Sequence, residues 1–169
     1  MENFEKRVID VLIFENKLPE TGIFEITENH IKSYIELYGN MFGKDKSRKL
    51  KNDEYRFARK LAGRTLIKLN IERGAKFNNI KAGMVYMIEN PAFPYHYKIG
   101  MTLDVVKRLS QYQVYDPFKR FKVVKYNFVM DRSSIEKTIL NHPCILKEDG
   151  EWIAKKNAIE LFSKITNPR

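Results

Sequence analysis

Apolar positions recur every three or four residues through the first third of the chain, the spacing of helices with one buried face. Phe4, Val8, Val11 and Leu12 predict a helix over residues 2–18, which Pro19 and Gly22 end. Thr27 is placed to cap a second helix, along which Ile31, Tyr34, Ile35, Tyr38, Met41 and Phe42 form a stripe. Asn52 is read as the cap of a third helix reaching about residue 71, with Tyr55, Ala58, Leu61, Ala62 and Leu69 on its apolar side.

After residues 73–82, a glycine- and asparagine-bearing linker, the period shortens. Residues 84–88 and 95–100 read as strands, joined by a connection that holds Pro91 and Pro94, neither of which can continue a central ladder. Thr102 is positioned to cap a helix carrying Leu103, Val106 and Leu109. A Val- and Phe-rich strand follows at 121–130, then a helix over 131–146 disrupted by Pro143, a short extended piece at 151–153 and a closing helix over 156–165. The expectation is an α+β fold: a small, mainly antiparallel three-stranded sheet flanked by helices, preceded by a helical N-terminal region. The boundary is set at residues 1–76 and 77–169.

Composition changes this picture little, but charge changes it more. At 169 residues, 43% hydrophobic and 31% charged, the chain is an ordinary globular one. Its net charge of +10 favours a polyanionic partner through release of condensed counterions. Lys44, Lys46, Arg48, Lys49 and Lys51 stand against Asp45 alone, and Arg56, Arg59, Lys60 and Arg64 extend the run along the third helix. These nine residues read either as a solvated helix face or as a phosphate-contacting surface. The single cysteine, Cys144, excludes an internal disulfide and a zinc cluster and fits a reducing cytoplasm. The apolar run from Val8 to Phe14 contains Asp10 and is too short for a membrane span or signal peptide, so a soluble, intracellular protein with no membrane partner is expected.

Candidate chemistry gathers in Gly83–Arg108. Strand alternation puts Tyr86 on one face with Met84 and Ile88, and Lys98 on one face with His96 and Gly100. If the strands pair, a phenol and an ammonium converge, and Arg108 on the next helix can point back at both. Each has an ordinary reading too. Tyr86 suits a core aromatic, Lys98 an edge lysine, and Arg108 a helix ion pair with Asp104.

Taken together, Met84-Val85-Tyr86, Lys98-Ile99-Gly100 and Arg108 resemble the GIY-YIG nuclease superfamily, in the branch whose second signature has a KIG form and which includes restriction enzymes. The resemblance covers about residues 83–152, ending in Gly150-Glu151-Trp152-Ile153, where Trp152 is expected as a core anchor. It implies an endonuclease cutting double-stranded DNA to 5′-phosphate and 3′-hydroxyl ends, of restriction or mobile, phage type. Glu136 would hold Mg²⁺ (or Mn²⁺), although Ser133 and Glu136 also have the spacing of a helix capping box. Tyr86 would be the general base, Lys98 would either lower its pKa or orient the water, and Arg108 would stabilise the transition state. His96 and Thr102 are accessory candidates. One such site cuts one strand, which makes a homodimer a natural partner arrangement. The location would be the cytoplasm, or the host-cell interior for a phage protein. A non-catalytic DNA-binding module with this fold, and an RNA-directed enzyme, remain as alternatives.

Overall fold

The computed structural model describes residues 1–41, 50–145 and 147–167. The chain divides into two compact units, Met1–Lys81 and Ala82–Arg169.

The first unit is helical: α1 (Asn3–Phe14), α2 (Glu28–Met41) and α3 (Asn52–Glu72). Their buried side chains follow the apolar stripes, with Val8, Ile9 and Leu12 from α1, Ile31, Tyr34 and Ile35 from α2, and Ala58, Ala62, Leu66 and Ile67 from α3. Asn52 is not the cap. Lys51 occupies that position, and its backbone N–H donates to Glu54 Oε2 at 3.1 Å. Thr27 does act as expected, accepting from the His30 backbone N–H at 3.4 Å, while His30 Nδ1 accepts from the Thr27 backbone N–H at 3.1 Å.

The second unit is built on a five-stranded sheet of order β3-β1-β2-β5-β4, with β1 Gly83–Glu89, β2 His96–Thr102, β3 Lys122–Val129, β4 Lys147–Asp149 and β5 Trp152–Ala154. Every pairing is antiparallel. The α+β class with a helical N-terminal region is as expected, but the strand count is five rather than three. The two extra strands are three-residue pieces around the Gly150 turn, too short to show an alternation in the sequence. Gly150 takes φ 54°, the left-handed conformation that such a tight reversal needs.

Alternation divides the sheet chemically. Val85, Met87, Tyr97, Ile99 and Ile153 form one core face with Val129, Ile139, Ala158 and Phe162. Helices α5 (Arg132–Leu140) and α6 (Ala158–Thr166) supply the covering residues of that face. Tyr86, Lys98 and Gly100 point the other way, on the side that receives α4 (Val105–Gln113).

Candidate active site

Register brings the site together. Tyr86 stands opposite Gly100, Ile88 opposite Lys98, and Lys98 opposite Trp152, so all these side chains share one face. Glycine at position 100 is a steric requirement. A Cβ there would collide with the hydroxyl and ring of Tyr86, which lies flat across the neighbouring strand.

The loop after β2 then aims α4. Asp104, not Thr102, is the N-cap, its carboxylate accepting from the Lys107 backbone N–H at 3.0 Å. Thr102 is the last residue of β2 and braces the turn instead, its hydroxyl accepting from Asp104 N–H and donating to Asp104 O, both at 3.1 Å. With the Asp104 carboxylate occupied, Arg108 has no ion pair with it. Its Nε–H donates to Tyr86 Oη at 3.3 Å, and Nη1 donates to Gln111 Oε1 at 3.0 Å.

Tyr112, one turn further along α4, was not singled out in the sequence. Its hydroxyl shares a 3.0 Å hydrogen bond with that of Tyr86, and the Arg108 guanidinium lies 5.0 Å from its ring centroid. A second tyrosine at Arg108 plus four is the signal that could have found it, because i and i+4 share a helix face.

Lys98 faces the same cluster but does not act on Tyr86 as expected. Its ammonium donates to Glu151 Oε2 at 2.7 Å and lies 5.8 Å and 5.6 Å from the ring centroids of Tyr112 and Trp152. Burial and the Tyr112 hydroxyl push the Tyr86 phenol well above its ordinary range, and the opposing pull comes from Arg108. The resting Tyr86 is therefore neutral. Trp152 is not a core anchor either. It is half-buried and packs on Phe93 with centroids 4.6 Å apart, forming an aromatic wall beside Lys98.

Glu136 lies in the second turn of α5. The capping alternative is gone, because Asp131 is the N-cap and accepts from the Ser134 backbone N–H at 2.9 Å. The Glu136 carboxylate is half-buried and, among the described residues, has neither hydrogen bond nor ion pair. Burial, then repulsion from Glu151, raises its pKa, while the charges of Lys98, Lys137 and Arg108 draw it down. It thus sits in the same field as the β2 and α4 residues. A hard-oxygen donor in the field of a second carboxylate suits Mg²⁺ or Mn²⁺, since Mg²⁺ keeps several waters and takes only one or two carboxylates. No group of three or more acidic, His or Cys side chains able to hold a metal occurs among the described residues. His96 is half-buried at the start of β2 and opposite Ala154.

The basic residues of the first unit divide. Lys44, Lys46, Arg48 and Lys49 fall outside the described residues. Arg59 leaves the expected surface: it is 4% exposed and makes a bidentate pair with Glu28, at 2.6 and 2.8 Å. A buried guanidinium is tolerated only against such a partner. Arg64 is half-exposed and 3.3 Å from the buried Glu5, Arg56 is 3.6 Å from Asp53, Lys60 is half-buried, and Lys51 is exposed.

Residues 83–160 match the family model of the T5orf172 domain, a span containing Tyr86, Lys98, Arg108, Tyr112, Glu136 and Glu151. This is similarity to a phage-type, endonuclease-like domain, and it does not single out the superfamily suggested by the two tripeptides. No curated protein and no solved structure matches the chain. No helix among the described residues is long and apolar enough to cross a membrane.

Proposed function

We propose that the C-terminal unit is a GIY-YIG-type, divalent-cation-dependent endonuclease acting on double-stranded DNA, leaving 5′-phosphate and 3′-hydroxyl ends, of restriction or phage type. The observation that carries this reading is that a cation (Arg108) and a paired hydroxyl system (Tyr86–Tyr112) on one sheet face share an electrostatic field with a carboxylate from α5 (Glu136) that has no partner among the described residues. A structural hairpin has no use for that combination, whereas phosphodiester hydrolysis needs each part.

Glu136, with Glu151 at hand as a second carboxylate, would hold Mg²⁺ or Mn²⁺, which supplies Lewis-acid polarisation of the phosphate when bound. Arg108 is fixed by Tyr86 and Gln111 so that its remaining N–H groups meet the charge that builds on the phosphate oxygens. The Tyr86 hydroxyl orients the attacking water. Because burial keeps this phenol neutral at rest, it takes the water's proton only as attack proceeds, with Arg108 as the cation that stabilises the phenolate. Tyr112 keeps the phenol pointed and offers a second hydroxyl for the proton's exit. Lys98, neutralised by Glu151 in the resting site, turns to the phosphate when substrate competes for it. Lys51, Arg56, Lys60 and Arg64 supply a sequence-independent part of the affinity.

A supercoiled-plasmid nicking assay with Mg²⁺ against EDTA tests the reading. Glu136→Ala should abolish cation-dependent cleavage while leaving DNA affinity within about threefold. Full activity in that variant removes Glu136 from the site. The resting Lys98–Glu151 pair favours one other reading, a DNA-binding module without catalysis. Binding with no cleavage under either condition would select it.

A further inference from the structure

One residue past Tyr112 the chain leaves α4 and forms a loop, residues 114–120, that the hydrolytic chemistry does not use. The side chain of Gln113 closes its base like a strand neighbour: Nε2 donates to Phe121 O at 2.7 Å and Oε1 accepts from Phe121 N–H at 3.1 Å. Inside the loop, Asp116 is 4% exposed. Its carboxylate accepts from Asn90 Nδ2 at 2.8 Å, from the backbone N–H groups of Phe118 and Arg120 at 3.0 and 3.1 Å, and from Arg120 Nε at 3.2 Å. Burial works against the anion, but these donors outweigh it and hold its pKa at about 2. Lys119 takes φ 50°, a left-handed conformation that a lysine adopts only under constraint. The loop is therefore rigid, and it is joined to the site through Phe121, whose ring packs 5.5 Å from that of Tyr112.

What this scaffold presents is apolar. Val114, Tyr115 and Phe118 are 80, 84 and 74% exposed. Rigid loops that hold adjoining large apolar side chains in water mark interaction surfaces. The loop's own charge is positive: Lys119 and Arg120, with Lys122 just after them, are exposed, the Arg120 guanidinium lies 5.1 Å from the Phe118 ring centroid, and the loop's one acid, Asp116, is consumed internally. Flat aromatic faces ringed by cations fit a polyanion that carries stackable bases.

We propose that residues 114–120 are a base-contacting wedge, in which Tyr115 and Phe118 stack on or insert between DNA bases flanking the phosphate held at Arg108, while Lys119 and Arg120 take the adjoining phosphates. This rests on the nuclease reading only for which phosphate is flanked. The wedge gives the site a means of opening the stack beside the bond to be cut, and its rigidity avoids an ordering cost on binding.

The test uses the full-length chain in EDTA, so that no cleavage is needed, with short duplexes carrying 2-aminopurine at each position in turn. The expected result is a several-fold rise in fluorescence at one or two adjacent positions on binding. Tyr115→Ala/Phe118→Ala should abolish the rise and weaken affinity by about tenfold or more, with unchanged Tm because both rings are exposed. Phe118→Tyr should retain the signal. Binding by the wild type without any 2-aminopurine response overturns the proposal, as does an unaltered response in the double alanine variant or failure of the wild type to bind duplex DNA. A retained response in a protein that never cleaves with Mg²⁺ supports the wedge and removes the nuclease reading. Cleavage without a response does the reverse.

Discussion

Gly100→Ala places the smallest possible side chain against the centre of the site. Gly100 is the cross-strand partner of Tyr86, and a Cβ there would lie inside contact distance of the Tyr86 hydroxyl and Cζ and 2.9 Å from Cε2. Tyr86 is 2% exposed, so its ring has no free volume into which to retreat. Overpacking of this kind costs about 1–3 kcal/mol. Displacing the hydroxyl also weakens, without abolishing, its bonds to Arg108 and Tyr112, at about 0.5 kcal/mol each. A total of roughly 2–4 kcal/mol is a large share of the roughly 5–15 kcal/mol that stabilises a domain. Urea unfolding followed by tryptophan fluorescence measures it cleanly, because the only tryptophan, Trp152, belongs to the C-terminal unit. The specific check is a double-mutant cycle with Tyr86→Leu, which lacks every atom that the new Cβ would strike. In that background Gly100→Ala should cost about 1 kcal/mol or less, a coupling of about 1–3 kcal/mol. If the two effects add to within about 0.5 kcal/mol, the Tyr86 ring does not lie across Gly100 and the reasoning fails.

Three further expectations follow from the same geometry. In EDTA, Glu136→Gln should be more stable than wild type at pH 7–8, because burial and Glu151 raise the Glu136 pKa and its ionised form opposes folding; the difference should vanish below the ordinary value of 4.5. Unchanged relative stability across pH 4–8 would contradict this. Tyr86→Phe removes only the hydroxyl, so it should lose about 1 kcal/mol in urea but cleave about 10²- to 10⁴-fold more slowly, measured by single-turnover nicking. Asp116→Asn should be less stable at pH 7, with the gap closing as pH falls from about 4 to about 2. The wild-type carboxylate, held near 2 against an ordinary 3.8, contributes stability above that window and loses it on protonation.

The reach of the sequence can be judged element by element. Tyr86 and Lys98 were assignable to one face because strand parity needs only the chain order and the assumption that the two strands pair. Arg108 as a residue pointing back at the strands followed from helix spacing. Partner choice was not readable. Asp104 and Asp131 won the caps from Thr102 and from the Ser133–Glu136 pair, a competition among neighbouring oxygens that is decided by the φ and ψ each turn imposes. Arg59 looked like one more cation in a basic helix until packing buried it against Glu28, some thirty residues away in the chain. Tyr112 and Glu151 entered the site only because register and helix direction brought them there.

The sequence by itself determined the periods, hence the helical first unit and the strand-rich second one, and it determined which residues carry charge, phenol and carboxylate. Tertiary structure alone decided how those groups act on one another. It neutralised Lys98 with Glu151, raised the Tyr86 pKa through burial and the Tyr112 hydroxyl, left Glu136 without a partner among the described residues, and held Tyr115 and Phe118 in solvent on a rigid turn. The physical reason is that periodicity is a local property of the backbone. Electrostatic environment depends on distances between residues far apart in the chain, and those exist only once the sheet is paired and the helices are docked on it.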